Sequence, residues 1–472
     1  MSTPLWILLL YSLLLALLGI LTSSRVKRPS DYFVAGRTLG PGLLFATLLA
    51  ANIGAGSTVG AAGLGYQHGF SAWWWVGSAG LGSILLGLTV GPKIWAIAAA
   101  HGFFTVGDYL EFRYNRQVRL VTSILLWLGS LAILAGQLIA LAWILAVVAG
   151  TPKWASCLLG GLLVTLYFGL GGLPSAARVN LVQLVVKLTG FVLAVALALG
   201  SLGGWQSFQL ALRANLPPSV DPAAYFLWTG AGPSTVLAYV LLLGPSFVVS
   251  PGLLQKVYGA RNPPTVRIGV LFNAFVLLLF AALPVLLGMI ARLHHPDLAN
   301  PELALPSLMV NDLPYWIGVL ALASVFSAEV SSADAVLAMV TASVVNDGLR
   351  IYLGLHWTEA KVLQTSRLTA VCAGCLSVLL AIWLPTVVSA LQIFYSLLTT
   401  ALFVPLVAGL YWKRPDSAAA MASVALSLPT TLLVHWLTEG RGAGWLPPVG
   451  WGVLVGTLAL ILRVMTSHGR GE

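Results

Sequence analysis

The stretch LLAANIGAGSTVGAAG, residues 48–63, interrupts a long apolar run with glycines and with polar side chains in its middle. Glycine is a poor helix former, and lipid offers no hydrogen-bond partner to backbone that leaves helical geometry. A second interrupted run, LLLGPSFVVSPGLLQK at residues 241–256, contains Gly244–Pro245 and Pro251–Gly252. Proline removes a backbone donor and clashes with the preceding turn. Two such interruptions predict the central site of a membrane transporter with two related halves, and ordinary kinks or close helix packing are the alternative.

The composition indicates a protein surrounded by lipid. Of the 472 residues, 58% are hydrophobic and 8% are charged, whereas a soluble domain has about 25% charged residues. The predicted fold is an all-α membrane protein with a single domain, because no polar stretch is long enough to fold separately. Apolar segments of about 20 residues predict about thirteen transmembrane helices, near 4–22, 42–63, 71–99, 119–149, 153–171, 176–202, 234–257, 265–291, 314–346, 363–384, 387–411, 416–437 and 445–463.

The distribution of basic residues predicts the orientation of these helices. The first apolar run is followed by Arg25, Lys27 and Arg28, which favours a retained helix with its N-terminus outside over a cleaved signal peptide. With that start, about 18 of the 24 basic residues fall in cytoplasmic loops, and the C-terminus is cytoplasmic. The net charge of +10 thus reflects topology. The expected partners are membrane lipid and a small solute, with no role for nucleic acid.

Three ionisable side chains lie deep in the predicted membrane region. Glu329 and Asp334 occur in SAEVSSADAV, residues 327–336, and Lys187 lies near the middle of its helix. Intramembrane charges usually pair and mark ion or substrate paths, so Lys187 is expected to pair with one of the two acids. A lysine in such a place can also carry a proton. A fixed ion pair without a role in transport is the remaining alternative.

Several motifs resemble those of the sodium:solute symporter family, whose members include bacterial sodium-coupled galactose, proline and sialic acid transporters. They occur in the family's order and are SDYFVAGRTLG (30–40), LLAANIGAGSTVG (48–60), FTVGDYLEFRYN (104–115), GGLPSAARVNLVQ (171–183), SAEVSSADAVLAMVTASVVND (327–347) and GLYWKRP (409–415).

The resemblance implies one transporter domain, 1–472, in a bacterial inner membrane, working by alternating access. It would contain a leading helix at 4–22 and two inverted five-helix repeats at 42–202 and 234–411. Two trailing helices would follow within 416–463.

The resemblance also implies a bound and transported Na⁺ ion and no organic cofactor. The family's shared sodium site maps onto the carbonyls of Ala50, Ile53 and Ala328 and the hydroxyls of Ser331 and Ser332. The last three residues share one helical face. A second cation site, present in some members, maps onto Asn180 where an acid is expected. Asp334, on a helix expected to face Asn180, is interpreted as replacing that acid. The alternatives are a neutral Asp334 or one paired with a loop arginine. A second cation or proton site is therefore predicted from four residues, Asn180, Lys187, Glu329 and Asp334.

The substrate site is expected at the two interrupted runs. Where sugar-transporting relatives have polar groups, this chain has mostly apolar ones, which favours an amino acid or short carboxylate over a hexose. Trp73–Trp75 is interpreted as an interfacial aromatic belt, with an aromatic cage around the substrate as the alternative. Sequence motifs of enzymes are absent. The resemblance predicts Na⁺-coupled symport, and proton-coupled transport is the alternative. A solute sensor and an intramembrane enzyme are more distant alternatives. The substrate candidates are Asn52, Gly54, Ala55, Gly56, Ser57, Gly244, Pro245 and Ser246.

Overall fold

The computed structural model describes residues 3–22, 34–350 and 358–468. Arg25, Lys27, Arg28 and residues 30–33 of the first motif lie outside the described residues, as do the side chains of residues 166–178. The described chain is helical and contains no strand. The α-helices are α1 (Thr3–Thr22), α2 (Pro41–Asn52), α3 (Val59–His68), α4 (Trp73–Leu85), α5 (Gly91–His101), α6 (Val106–Arg113), α7 (Arg116–Ala149), α8 (Lys153–Ser201), α9 (Trp205–Asn215), α10 (Pro222–Tyr225), α11 (Pro233–Val249), α12 (Pro251–Tyr258), α13 (Pro263–Phe280), α14 (Ala282–His294), α15 (Ala304–Asn311), α16 (Tyr315–Ser343), α17 (Glu359–Trp383), α18 (Val387–Leu398), α19 (Val404–Tyr411), α20 (Ser417–Leu437) and α21 (Pro448–His468).

Seven shorter helical segments connect or extend these helices. Four are 3₁₀ turns, at Ala35–Arg37, Ala55–Ser57, Gly69–Ala72 and Pro301–Leu303. Three are π-helical, at Leu86–Val90, Val344–Arg350 and Thr399–Phe403. Each π segment continues an α-helix, which widens the helix locally.

Ten segments of the described chain are long and apolar enough to cross a membrane, which indicates a multi-pass membrane protein. Shorter apolar helices occur at Thr3–Leu15, Pro41–Asn52 and Lys153–Thr165. The predicted count of about thirteen therefore stays a prediction. α16 is the most buried of the ten, with 83% of its most apolar stretch enclosed by other helices.

α8 differs from the sequence-based expectation. Two spans, 153–171 and 176–202, were expected to be separated by a break, but the backbone forms one helix over Lys153–Ser201. At 1.5 Å per residue this helix is about 74 Å long. Helix propagation is cooperative, and apolar helical segments on both sides of the connection favour its continuation through the intervening residues.

The two interrupted runs are broken, but only one breaks where its sequence suggests. α2 ends at Asn52, the backbone is extended at Ile53 and Gly54, and helical geometry returns at the 3₁₀ turn. In the second run, α11 continues through Pro245, so the expected interruption at Gly244–Pro245 is wrong. The break lies at Ser250 (φ −52°, ψ 119°), because a residue before proline is disfavoured in helical geometry and Pro251 suits the first turn of the next helix.

A short backbone bridge and one arginine side chain hold these broken helices together near one end. Leu39, before α2, forms a parallel bridge with Ala260, just after α12. The guanidinium of Arg37 donates to the carbonyls of Ala98 and Phe103 at 2.9 Å and of Tyr258 at 3.3 Å. One arginine thus fixes α5 and α12 relative to the chain that enters α2.

The outer surface is suited to lipid. Exposed leucines occur along α1, α8 and α17. Exposed tryptophans lie at helix ends, with Trp316 at the start of α16, Trp383 at the end of α17 and Trp436 at the end of α20. Tryptophan at helix ends is typical of membrane–water interfaces.

Candidate functional site

The carbonyl end of α2 meets the ammonium group of Lys187. Lys187 Nζ donates to the carbonyl of Ala50 at 3.0 Å, to the carbonyl of Ile53 at 3.2 Å and to Ser331 Oγ at 2.5 Å. Lys187 is fully buried. The last carbonyls of a helix have no partner within it and carry the negative end of the helix dipole, so they favour a cation. The ammonium therefore lies among three of the five residues expected to bind sodium.

The other two predicted sodium ligands lie beside this cluster. Ser331 Oγ also donates to the carbonyl of Ala328 at 3.2 Å, within the same helix. Ser332 Oγ donates to the carbonyls of Ala51 and Ile53 at 3.3 and 3.2 Å. The predicted set, Ala50, Ile53, Ala328, Ser331 and Ser332, is thus brought together between α2 and α16, with Lys187 reaching it from α8.

The two acids on α16 do not form the expected ion pair with Lys187. No carboxylate oxygen among the described residues lies within the 4.0 Å salt-bridge distance of its ammonium, although Glu329 and Asp334 both act on it electrostatically. Glu329 Oε1 accepts from Thr58 Oγ1 at 2.7 Å. Glu329 Oε2, Asp334 Oδ1 and Asn180 Oδ1 are buried without a hydrogen-bond partner. These three atoms are free to accept from a ligand or water.

The break in α2 opens into a cavity of about 80 Å³. Its polar lining includes Asn52, Ser57, Gln137 and Ser250, and Lys256 lines it at the end of α12. Lys256 Nζ donates to the carbonyl of Gly252 at 3.3 Å and has no carboxylate within 4.0 Å among the described residues. Its positive charge is therefore uncompensated in the cavity wall. The apolar lining includes Trp75, Val76, Leu243, Phe247, Met339, Leu391, Phe394 and Tyr395.

The predicted substrate residues divide between the cavity and the packed interior. Asn52, Gly54, Gly56 and Ser57 line the cavity, whereas Ala55, Gly244, Pro245 and Ser246 do not. Ser246 Oγ is buried and bonded to the carbonyls of Leu242 and Tyr395 and to Thr399 Oγ1. On α11 the cavity is lined by Leu243 and Phe247. The expectation failed for this helix because its break lies further along the chain.

Gly54 and Gln137 fix the shape of the break. Gln137 Oε1 accepts from the backbone N–H of Ala55 at 2.9 Å, which satisfies a donor freed by the interruption. A Cβ at Gly54 would lie 2.3 Å from Ser332 Oγ and 2.8 Å from Gln137 Oε1. The close approach of α2 to both α7 and α16 therefore requires glycine at this position.

Trp75 belongs to the cavity and not to an aromatic belt at the membrane surface. It is buried, and its Nε1 donates to the carbonyl of Gly56 at 3.0 Å. Trp73 and Trp74 donate to the carbonyls of Leu278 and Trp228. The belt interpretation is therefore wrong for Trp75, since its helix turns the ring toward the broken segment.

A buried charge network lies where two of the quoted motifs meet. Arg119, only 3% exposed, donates to Asp108 and Glu111 at 2.7 Å and also to Asp347. Asp347, in the π-helical segment after α16, also accepts from Thr105 Oγ1 at 2.8 Å. Residues 104–115 and the end of the 327–347 motif are thus joined through one arginine. No local sequence pattern indicates the contact with Asp347, because that residue lies 228 positions from Arg119 along the chain.

Glu302 supports another wall of the cavity. Its carboxylate accepts from the backbone N–H groups of Val387 and Val388 at 2.9 and 3.2 Å, at the N-terminus of α18. It also accepts from Trp143 Nε1 at 3.0 Å. Burial raises the pKa of the Glu302 carboxyl, while these hydrogen bonds act in the opposite direction. A carboxylate is favoured at a helix N-terminus, so Glu302 anchors α18 to α7.

Comparisons with known proteins point to one family. The model of the sodium:solute symporter family matches residues 32–426. The chain is 26% identical to the sodium/pantothenate symporter of Escherichia coli (strain K12), over 89% of this chain and 88% of that protein. It is 24% identical to the sodium/glucose cotransporter of Vibrio parahaemolyticus, over 87% of this chain and 80% of that protein. The structure of a Na⁺-coupled sialic acid symporter in its substrate-bound outward-open state matches with a TM-score of 0.81 and 18% identity, over 98% of this chain and 96% of that one. That similarity shows a shared fold.

Proposed function

Because the chain belongs to the sodium:solute symporter family, we propose that it is a secondary active transporter that moves a small organic solute by alternating access. The observation that carries this proposal is the cavity beside the broken α2, which adjoins a cation cluster at the same break. In this arrangement a solute and a cation contact opposite sides of one non-helical segment, so that binding of either one influences the other.

Na⁺ is the first candidate for the coupling ion, since relatives named for sodium coupling cover most of the chain. A second candidate is coupling that needs no Na⁺ at the predicted ligands, because the Lys187 ammonium already contacts three of them. In either case the proposed arrangement is two inverted repeats with the N-terminus outside and the C-terminus in the cytoplasm, in a plasma membrane of the bacterial inner-membrane type.

The proposed solute is a small carboxylate or an amino acid, held by its negative end. Lys256 supplies a positive charge without an acid partner in the cavity wall. The volume of about 80 Å³ is about half that of the 150 Å³ cavity that holds benzene. The mainly apolar lining offers few of the directional hydrogen bonds that a hexose needs.

Thermal unfolding of the purified protein tests this solute class. Short carboxylates such as acetate, propionate and pyruvate are compared with their neutral amides and with hexoses, since a ligand of the folded state raises the melting temperature. At least one carboxylate is expected to stabilise the protein while its amide does not. Lys256→Met is expected to lower that carboxylate's affinity about tenfold to a hundredfold, as expected when a hydrogen bond to a charged group is lost.

The matched control is Lys413→Met, which removes an exposed lysine and should leave the carboxylate response unchanged. A carboxylate response that is equal in the wild type and in Lys256→Met would show that Lys256 does not hold the solute. Stabilisation by a hexose but by no carboxylate would overturn the proposed solute class.

A further inference from the structure

The Lys187 ammonium has the bonding pattern of a bound cation. An ammonium group has three N–H donors and no acceptor. Lys187 Nζ donates to three acceptors at 2.5–3.2 Å. They are the two carbonyls at the C-terminal end of α2 and one hydroxyl of α16. Ser331 Oγ donates to the carbonyls of Ala50 and Ala328, which leaves its lone pairs available to the ammonium. Every donor of Lys187 is therefore satisfied in the buried interior.

The same oxygens do not fit Na⁺ in addition to this ammonium. A sodium ion at the predicted position would use the lone pairs of Ala50, Ile53 and Ser331 that now accept from Lys187. It would also lie within about 4 Å of a positive charge in a buried site, where like charges repel strongly because screening by solvent is weak. The carbonyl of Ile53 also accepts from Ser332 Oγ, so both of its lone pairs are in use.

We propose that the ammonium of Lys187 is the resident cation of this cluster and takes the place of Na⁺ there, so that the protein binds no sodium at these ligands. The inference rests on the proposed transport function and selects the second of its two coupling candidates. The tethered cation joins α2, α8 and α16, which is the structural role that a bound ion would otherwise have. Because it is covalently attached, it does not leave the site with the solute.

The charges around Lys187 agree with this assignment. Glu329 and Asp334, both on α16, are the charged groups of the described residues that act on it. α2, which contributes the Ala50 carbonyl and ends just before Ile53, has no charged side chain. Lys187 therefore supplies the positive charge at the end of α2. Glu329 and Asp334 act on this charge without forming a salt bridge to it.

Thermal unfolding in sodium tests the proposal without any solute or flux. NaCl replaces choline chloride at constant ionic strength, and the melting temperature is followed over a wide range of sodium concentration. The wild type is expected to show no saturable sodium shift. In Lys187→Ala the ammonium is gone and its three acceptors are open, so a saturable rise of the melting temperature with Na⁺ is expected. Lys187→Ala combined with Ser331→Ala is expected to lose that rise.

The control is Lys413→Met, which removes an exposed lysine and should respond to sodium as the wild type does. A saturable sodium shift in the wild type that disappears in Ser331→Ala would overturn the proposal, and this comparison decides it even where Lys187→Ala fails to fold. Since the measurement uses only Na⁺ and the folded protein, its result is separate from that of the carboxylate test of the transport proposal.

Discussion

Replacing Arg119 with methionine is expected to destabilise the folded protein by about 3–5 kcal/mol, because removing one partner of a buried ion pair leaves uncompensated charge. Arg119 is the shared partner of Asp108, Glu111 and Asp347. Methionine keeps much of the volume of the arginine stem, so the loss reports mainly on charge and hydrogen bonds. Thermal and denaturant unfolding of the detergent-purified variant measure it.

Exposed Arg414 provides the matched control, since Arg414→Met changes the net charge equally and is expected to shift stability by less than about 0.5 kcal/mol. Combining Arg119→Met with Asp347→Asn should cost less than the sum of the two single changes, because they remove the same interaction. Additive losses, or a loss at Arg119 no larger than that at Arg414, would show that the network does not join the two motifs energetically.

Replacing Gly54 with alanine is expected to reduce transport at least about a hundredfold, the scale of effect of a 1 Å misplacement in a functional site. The added Cβ would lie 2.3 Å from Ser332 Oγ and 2.8 Å from Gln137 Oε1. One of these neighbours must move, which changes both the cavity wall and the cation cluster. Uptake of the carboxylate identified by thermal unfolding, measured in proteoliposomes, gives the rate.

Gly42→Ala is the control for this change, because it lies in the same helix and its Cβ would meet nothing within 4 Å. It should transport as the wild type does. The melting temperature of both variants separates a damaged site from a damaged fold. Normal uptake by Gly54→Ala would show that the close approach of α2 to α7 and α16 is not needed for function.

Local chemistry explains what could be predicted from the sequence. The glycines and polar groups of residues 48–63 mark a break because their effects act within a few residues, and the structure has that break at Ile53 and Gly54. The burial of Lys187 and the grouping of Ala50 with Ser331 also followed from spacing and family resemblance. In the second run two Gly/Pro pairs competed, and only the helix itself shows that Ser250 is the break.

Contacts between distant segments explain what could not be predicted. The partner of Lys187 was expected to be Glu329 or Asp334, but the carbonyl end of α2 provides acceptors that no sequence pattern records. The inclusion of Lys256 in the cavity depends on how α12 is placed after the break. The network of Arg119 with Asp347 joins residues 228 positions apart, and neither residue type nor spacing identifies that pairing.

Counterflow in proteoliposomes tests most directly whether this protein is a transporter. Vesicles loaded with an unlabelled short carboxylate are diluted into medium with a trace of the labelled compound, once with Na⁺ and once with choline in its place. We expect transient accumulation of label above its equilibrium level, present without Na⁺ and lost in Gly54→Ala. A carboxylate that stabilises the protein against unfolding but shows no counterflow in either medium would contradict transport and indicate a solute sensor.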